Sequence, residues 1–398
     1  MRGKGEGSVY KAADGLWTAV IELPPRNGKR RQKRFRAKTK AAVLEKLREG
    51  MDQLRTSGDI PTDGTTVEQW FTYWLDRIVD EEVRPRTAAG YRTVVAKHIV
   101  PTLGAKAKLD KVDGAAVRRV QDAITGKGLS STYALLAYRV MALSFKEAMR
   151  EGRLLRNPTE LVRPPRKARP KLEALTVDEA LRVLNHASRD EQEGARWAMS
   201  ILTGARRGEV IGLEVDRLGD EIDLSWQLQR LALDGAGRIV APSDFEYRQI
   251  SGGLCLTRPK SSAGWRVIPL VEPLRSIIDR HLAANPPGPN GLVFTQASGD
   301  PRDPDWDTKR WNRFLASTGI EKQVRLHDLR HTTVDLLYMA GVPEDLIMEI
   351  VGHSVRTVTR GYKSPMNRDR RERAMLDLSA LLSLRGDARS GTPGAVAS

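Results

Sequence analysis

Three short stretches in the second half of the chain carry side chains suited to chemistry on a phosphate ester. They are TGARRGEVIGL at 203–213, RLHDLRHT at 325–332 and VGHSVRTVTRGY at 351–362. Arginine stays charged and its planar fork matches two phosphate oxygens, histidine can donate a hydrogen bond, and tyrosine can act as a nucleophile. The side chains of interest are Arg206, Glu209, His327, Arg330, His353 and Tyr362.

The charge of the chain points to a polyanionic partner. Its 398 residues carry a formal net charge of +16, and 40% of them are hydrophobic, enough to bury real cores. Nucleic acid is the first expectation for such a surplus and an anionic membrane the second. No apolar run of about 18 residues occurs, so no membrane span is expected, and the N-terminus lacks the apolar stretch of a signal peptide.

The single cysteine, Cys255, excludes an internal disulfide and fits a reducing compartment. Its most economical interpretation is a small buried side chain on a strand.

The positive charge is concentrated at the N-terminus. Residues 1–60 contain 15 Lys or Arg and 7 Asp or Glu, a balance of 15 − 7 = +8, which is half of the total. A basic run without acidic residues follows a strand-like stretch at 17–23 and predicts a DNA-binding face. The candidate contacts in this run are Arg30, Arg31, Lys33, Arg34 and Arg36. A solvated charge run is the alternative.

Together, the three stretches resemble the signatures of the tyrosine recombinase (phage integrase) family. That family shows T-G-x-R-x-x-E, then H-x-x-R, then G-H followed nine residues later by tyrosine. Here these are residues 203–209, residues 327–330, and Gly352-His353 with Tyr362, since 362 − 353 = 9. The family also places a lysine in a hairpin between the two arginine motifs, and the segment from Lys260 to Pro269-Leu270 is similar to that element.

The resemblance is specific in the last half of the chain and looser before it. One departure follows Glu209, where the family often continues L-x-W-x-D and this chain has Leu213-Glu214-Val215-Asp216. The missing tryptophan bears on local packing rather than on chemistry.

The resemblance implies breakage and rejoining of DNA, and phosphate chemistry explains the residue types. Attack on a phosphodiester places more negative charge on the non-bridging oxygens, which two guanidinium forks, those of Arg206 and Arg330, can hold. His327 and His353 would donate further hydrogen bonds to the same phosphate. Tyr362 would attack phosphorus and form a 3′-phosphotyrosyl link.

Two further roles complete the expected site. The family assigns protonation of the leaving 5′-oxygen to the hairpin lysine, here Lys260, and Glu209 is expected to hold a catalytic arginine in place. Because the covalent link conserves the bond energy, religation needs no ATP, no metal and no other cofactor.

Several alternatives remain at this point. Arg207 is adjacent to Arg206 and competes for its role, and Tyr247 and Tyr338 are other tyrosines, in contexts that fit no motif. His327 and His331 have the i, i+4 spacing of zinc proteases, but Asp328 stands where that motif requires glutamate. The alternative functions are a type IB topoisomerase, which uses the same chemistry, and a DNA-binding protein without catalysis.

The elements around these residues predict a multidomain, mainly α protein with α+β parts. Residues 1–58 are expected to form a small three-stranded sheet with one helix, an arm-type DNA-binding domain. Residues 64–158 predict a four-helix, SAM-like core-binding domain, whose first helix opens with a Thr65–Glu68 capping box and an apolar stripe through Trp70 and Trp74.

The second half is expected to form a mixed α/β tyrosine-recombinase catalytic domain over 172–385, with a disordered tail at 386–398. Its first helix should begin at a capping box of Thr176 and Glu179, and strands 253–258 and 265–270 are expected to form a pair. Residues 159–171 form a basic, proline-rich linker whose charge suits phosphates. Its candidate DNA contacts are Arg166, Lys167 and Arg169.

The expected partners follow from this organisation. They are double-stranded DNA at core and arm attachment sites and three further copies of the chain in a homotetramer, with a host DNA-bending protein and an excisionase as helpers. The expected setting is the cytoplasm of a bacterial host, on DNA, and the expected outcome is integration or excision of a mobile element or prophage. The last helix is expected to pack either on its own domain or on a neighbouring protomer.

Overall fold

The computed structural model describes residues 8–26, 29–60, 64–168, 173–259, 264–352 and 365–390. The chain divides into two compact units, Met1–Arg169 with Ala241–Ser243, and Pro170–Val240 with Asp244–Ser398. Within the described part of both units, no helix is long and apolar enough to cross a bilayer.

The chain begins with a three-stranded antiparallel sheet covered on one face by a helix. Strands β1 (Ser8–Lys11), β2 (Trp17–Arg26) and β3 (Lys29–Ala37) follow one another as neighbours. Helix α1 (Lys40–Ser57) begins at its N-cap Thr39, whose side chain accepts from the Ala42 backbone. Alternate residues of β2 point to α1 and pack against residues of the helix and of the segment after it. Together they form a small apolar core: Ala19, Ile21, Leu23, Val43, Leu47 and Ile60.

Four helical stretches follow, as the sequence predicted. The first contains α2 (Val67–Trp74), a π-helical turn (Leu75–Val79) and α3 (Asp80–Glu82), and the second contains α4 (Pro85–Val94), a π-helical turn (Val95–Ile99) and α5 (Val100–Leu103). The last two are α6 (Gly114–Gly126), capped by Asp113, and α7 (Ser131–Arg150). The second stretch contains Pro101 within its last turn and ends at Leu103.

The capping box of the first helix lies one residue later than predicted. Thr66 and Gln69 make the reciprocal bonds, at 3.0 and 3.3 Å, in place of Thr65 and Glu68. Thr65 is engaged elsewhere, because its carbonyl accepts from the Leu109 backbone and its hydroxyl from Arg153. Both T-x-x-E and T-x-x-Q satisfy the motif, so only tertiary contacts decide between them.

The predicted aromatic stripe is the core of this helical bundle. Trp70 and Phe71 are fully buried and Trp74 nearly so, and the Trp70 indole donates to Ser144 at 2.8 Å. The start of the predicted linker also belongs to this core: Tyr138 donates to the Thr159 carbonyl at 3.0 Å, and Val162 is buried. The extended basic segment therefore begins after residue 162 rather than at 159.

The second unit is built on a large helical core flanked by two small sheets. Its helices are α8 (Val177–Ala187), α9 (Gly194–Thr203), α10 (Arg207–Ile211), α11 (Leu274–Ala284), α12 (Pro304–Ser317), α13 (Leu329–Met339), α14 (Glu344–Val351) and α15 (Pro365–Ser390). The predicted capping box at Thr176 and Glu179 is confirmed, with bonds of 2.7 and 3.2 Å.

The strands of this unit pair differently from the prediction. Strands β4 (Glu221–Asp223) and β8 (Val267–Pro269) form one sheet, and β5 (Gln227–Arg230), β7 (Leu254–Thr257) and β6 (Tyr247–Ser251) form another in that order. The expected pairing of 253–258 with 265–270 is therefore wrong. β7 is buried at every position and central, so both of its edges are already occupied. Its hairpin partner is β6, across a turn in which Gly252 has φ of +51°.

The last helix packs on its own domain. Ala374, Met375, Leu378 and Leu382 of α15 are buried in the main core of the unit, and the Ser379 hydroxyl donates to the Glu272 carbonyl at 2.6 Å. This favours the first of the two predicted packing modes for that stretch. The helix continues to Ser390, past residue 385, where the sequence predicted that the catalytic domain ends and a disordered tail starts. Gly391 and Pro393 are the stop signals beyond it.

Candidate functional site

Arg206 stands at the N-terminus of a short helix, where its backbone and side chain are both fixed. It is the N-cap of α10, and its N–H donates to Glu209 Oε2 at 2.8 Å. Its guanidinium donates through Nη1 to Glu209 Oε1 at 2.7 Å and through Nη2 to the Gly352 carbonyl at 3.0 Å. The side chain is 35% exposed, so the fork is held from behind and remains open to solvent.

Glu209 is the buried anchor of this arrangement. Its side chain is 1% exposed and also accepts from Arg266, at 3.1 Å to Oε1 and 2.8 Å to Oε2. Burial opposes ionisation of this carboxyl, but the guanidinium groups of Arg266 and Arg206 hold the pKa of Glu209 below its usual value. The predicted positioning role of Glu209 therefore has a geometric basis.

Arg330 is the second arginine, and it reaches the site from α13. It is buried, and its Nη1 donates to the Gly204 carbonyl at 2.8 Å. Gly204 and Gly352 both end a helix in the left-handed conformation, with φ of +62° and +69°. Each glycine carbonyl accepts from an arginine of another motif, so the three sequence stretches are cross-linked.

The site is strongly positive in this arrangement. Burial, followed by the charges of Arg206 and Arg266, lowers the pKa of Arg330 to about 9, and Glu209 opposes the shift. The positive charges of Arg206 and Arg266 therefore act on Arg330, and the carboxylate of Glu209 partly compensates them. An anion between Arg206 and Arg330 would relieve this repulsion, as expected of a phosphate-binding site.

His327 lies one turn before Arg330 and faces the same positive region. The residue is exposed, yet partial burial of its ring and the charges of Arg330 and His331 lower its pKa. Asp328 beside it points inward and binds Arg325, at 2.7 and 2.9 Å. At neutral pH His327 is therefore a neutral ring that can donate one hydrogen bond.

Three predicted catalytic residues lie outside the described residues: Lys260, His353 and Tyr362. So does Arg169 of the linker. Their sequence neighbours are described. Gly352, which directly precedes His353, is bound to Arg206.

The described residues on either side of Lys260 lie close to each other, and Gly264 lies near Arg206. A Cβ built on Gly264 would lie 2.5 Å from Pro259 Cβ and 3.9 Å from Arg206 Nη1, so the two flanks of the segment converge there. The Arg258 guanidinium is held over two indole rings, 4.0 Å from the centroid of Trp226 and 4.7 Å from that of Trp265. The described flanks of Lys260 are thus held together, with Gly264 next to the arginine site.

The rival residues named from the sequence lie in other settings. Arg207 Nη1 donates to the Thr308 hydroxyl of α12 at 2.8 Å, whereas the charge of Arg206 acts on Arg330. Tyr338 is half exposed and lies near Glu344. Partial desolvation and this carboxylate raise the pKa of its phenol, which disfavours it as a nucleophile. The rings of His327 and His331 have centroids 6.4 Å apart. In the part of the chain that the structure describes, no group of three His, Cys, Asp or Glu could hold a metal ion.

The basic candidates of the first domain separate between the two faces of its sheet. Arg34 and Arg36 pair with Val20 and Thr18 and lie on the exposed face, together with Arg30. Arg31 lies on the other face and donates to Asp59 at 2.7 Å and to the Ile60 carbonyl at 3.1 Å, so it fastens the end of α1. Lys33 alternates with Arg34 and shares the face of Arg31. Arg166 and Lys167 of the linker are exposed.

Sequence reasoning missed the part played by Arg266. Arg266 lies within the lysine-bearing segment from Lys260 to Leu270, for which the sequence indicated a role only for Lys260. It is buried and binds Glu209 with both terminal nitrogens. A signal was available, because a buried glutamate beside one partly exposed arginine requires further compensation. The sequence could not show which basic residue provides it.

The chain matches known proteins over most of its length. The sequence model of the phage integrase family matches residues 173–368. An integrase of Saccharopolyspora erythraea is 28% identical over 408 residues, which cover 90% of this chain and 92% of that protein. An integrase of Streptomyces ambofaciens is 28% identical over 377 residues, with coverage of 90% and 92%.

Solved structures show the same fold. A lambda integrase tetramer bound to a Holliday junction superposes with a TM-score of 0.56 at 15% identity, covering 92% of this chain and 97% of that one. The Tn1549 transposon integrase in complex with transposon right end DNA gives a TM-score of 0.59 at 19% identity, covering 79% and 100%. With the family motifs in order and their arginines joined at one site, the chain belongs to the phage integrase family and is a tyrosine site-specific recombinase.

Proposed function

We propose that this recombinase holds the scissile phosphate of its DNA site between Arg206 and Arg330 and attacks it with Tyr362. The observation that carries the proposal is the pair of guanidinium groups fixed by crossed hydrogen bonds to the Gly352 and Gly204 carbonyls. Donors fixed in advance of the reaction stabilise developing charge better than donors that must reorganise, by about 3–4 kcal/mol for one well-placed donor.

The proposed reaction conserves the phosphodiester bond energy. The Tyr362 hydroxyl gives up its proton to water and its oxygen bonds to phosphorus, while the bond between phosphorus and the 5′-oxygen breaks. The product is a 3′-phosphotyrosyl link and a 5′-oxygen that takes up a proton from Lys260. Attack by a 5′-hydroxyl of another strand reverses these steps and rejoins DNA in a new combination.

The remaining site residues support this step. His327 donates a hydrogen bond to a non-bridging oxygen from its neutral ring, and His353, next to the anchored Gly352, donates another. Glu209 keeps Arg206 in place from the protein interior. Support for the placement of Lys260 comes from its flanks, Pro259 and Gly264, which converge beside Arg206.

We further propose a division of DNA contacts among the domains. The sheet domain binds arm-type sites through the exposed face with Arg30, Arg34 and Arg36, and the helical and catalytic domains hold the core site. Arg166 and Lys167 track phosphates between them. Attachment through two sites raises the effective concentration of the second domain at its own site.

The proposed setting is integration or excision of a mobile element or prophage in the bacterial cytoplasm. Four copies act together on DNA, aided by a DNA-bending protein of the host and an excisionase. The tetrameric form of lambda integrase on a Holliday junction and the DNA complex of the Tn1549 integrase support this arrangement. The family match favours recombination over topoisomerase-like relaxation or binding without catalysis.

Covalent trapping tests the proposal. The protein is incubated with a supercoiled plasmid that carries the DNA flanking its gene, and the adduct that resists SDS is digested and located by mass spectrometry. We expect a nucleotide adduct on Tyr362 that is absent from Tyr362→Phe and present in the control Tyr338→Phe. DNA binding should survive in both variants. An adduct on another residue would overturn the assignment, and adducts scattered over the plasmid without joined recombinants would favour a topoisomerase.

A further inference from the structure

We propose that Arg266 is a positioning residue that aligns Arg206 and the turn at Gly352 for attack on phosphate. The inference rests on the proposed function, in which Arg206 binds the scissile phosphate. Arg266 itself is buried, with a side chain only 1% exposed, so it acts from inside the protein and does not touch DNA.

The contacts of Arg266 close a ring around the site. Its Nη1 and Nη2 bind both oxygens of Glu209, and Glu209 binds the backbone and the guanidinium of Arg206. Its Nε donates to the Ile350 carbonyl at 2.7 Å. Two residues later Gly352 accepts from Arg206, so the ring returns to its start.

This ring joins three segments that carry different parts of the proposed machinery. Arg206 begins α10, Ile350 and Gly352 end α14 just before His353, and Arg266 itself stands between the Lys260 segment and β8. A shift of Arg266 would therefore move the arginine and the turn together. Misplacement of reacting groups by about 1 Å can cost about a hundredfold in rate.

The ring uses the geometry of a guanidinium and not only its charge. Arg266 makes three hydrogen bonds from a planar fork, two to one carboxylate and one to a carbonyl. Lysine presents a compact ammonium on a flexible stem and cannot reproduce this pattern. Arg266→Lys keeps the positive charge next to Glu209 but releases the alignment.

A merely stabilising ion pair is the alternative, and the same unit offers a matched control. Arg196 is equally buried, with a side chain 1% exposed, and it pairs with Asp307 and Glu193. It belongs to a separate cluster that includes Arg302 and makes no bond to Glu209, Arg206 or Arg330 among the contacts described. Arg196→Lys should therefore lose stability without disturbing the phosphate site.

The experiment measures single-turnover cleavage, at saturating protein, of a DNA duplex that contains the core site identified by covalent trapping. The temperature is set where circular dichroism shows each full-length variant folded. We expect Arg266→Lys to slow covalent complex formation about 10–100-fold. This is the range seen in metal sites when the residues that hydrogen-bond to the metal ligands are replaced. The dissociation constant for the duplex should change less than about twofold, and Arg196→Lys should cleave at the parent rate. Arg266→Gln is the second variant if the lysine form does not fold.

Coupling to Arg206 identifies positioning as the cause. In an Arg206→Lys background the added Arg266→Lys change should slow cleavage less than about threefold, because the group it aligns is already absent. Two results would overturn the role proposed for Arg266 and leave the proposed function intact. One is that the rate losses of the two substitutions multiply fully in the double variant. The other is that Arg266→Lys cleaves at the parent rate while Arg206→Lys is impaired. Cleavage at the parent rate by Arg206→Lys would instead refute the proposed function, on which the role of Arg266 depends.

Discussion

The glycine of the first arginine motif offers a sharp test of how the site is built. Gly204 ends α9 with φ of +62°, and its carbonyl accepts from Arg330. A Cβ at this position would lie 3.1 Å from Val351 Cγ1 and 3.3 Å from Thr333 Cβ. Gly204→Ala therefore introduces both backbone strain and crowding between α9, α13 and the end of α14.

The two effects have separate magnitudes. A side chain in the left-handed region costs about 1–2 kcal/mol, and an extra methyl in a packed core costs about 1–3 kcal/mol. Together they should destabilise the protein by about 2–5 kcal/mol. Gly341→Ala supplies the control, since Gly341 has φ of +78° in the same unit with no atom within 4 Å of the added Cβ. It should lose about 1–2 kcal/mol from strain alone.

Differential scanning calorimetry of the full chain measures the difference. For a unit of this size, each kcal/mol lowers the midpoint by roughly 2–4 °C. Single-turnover cleavage, measured well below both midpoints, then shows whether the position of Arg330 is disturbed. The carbonyl that accepts its hydrogen bond should shift only in Gly204→Ala. Equal midpoints for the two variants would refute the crowding argument, and equal cleavage rates would refute the coupling of this turn to Arg330.

Two further predictions concern other parts of the molecule. The pKa of His327 in the free protein should lie below 6.5 because of partial burial and the nearby cations. Binding of duplex DNA should raise the pKa of His327, since an anion favours the charged ring. Nitrogen-detected NMR titration measures the pKa in the free protein and in the DNA complex. A value at or above 6.5 in the free protein would contradict the geometry. On the first domain, Arg34→Ala should weaken duplex binding and reduce the slope of log K against log salt by about 0.9 per lost phosphate contact. Lys33→Ala, on the opposite face, should leave the slope unchanged in fluorescence anisotropy, and equal effects would show that the exposed face is not the DNA contact.

Local signals in the sequence predicted the helices well. The box of Thr176 and Glu179 requires only residues three apart, and the stripe of Trp70 and Phe71 requires only helical periodicity. Both are properties of a few neighbouring residues. They were therefore visible before any tertiary contact was known.

Strand pairing was not visible in the same way. β6 has the sequence YRQIS and is mostly exposed, so it has no apolar alternation to reveal it. β7 is apolar, but its sequence does not state which strands lie beside it. The error in pairing 253–258 with 265–270 follows from this dependence on distant partners.

The candidate site shows the same division between local and distant information. Motif spacing predicted Arg206, Glu209, His327 and Arg330. In the structure Arg206 binds Glu209, and both lie near enough to Arg330 for their charges to shift its pKa. The buried position of Arg266, and the inward face of Arg31, depend on partners 57 and 28 residues away in the chain. The spacing of residues within a motif cannot predict contacts with such distant partners.

The crossed bonds at Gly204 and Gly352 also determine when conformational entropy is lost. An arginine gives up as much as about 2 kcal/mol of rotamer freedom when its side chain is fixed. In this protein Arg206 and Arg330 are fixed by backbone carbonyls of their own domain. That loss occurs when the domain folds, so it lowers the stability of the free enzyme and is not repeated each time DNA enters the site.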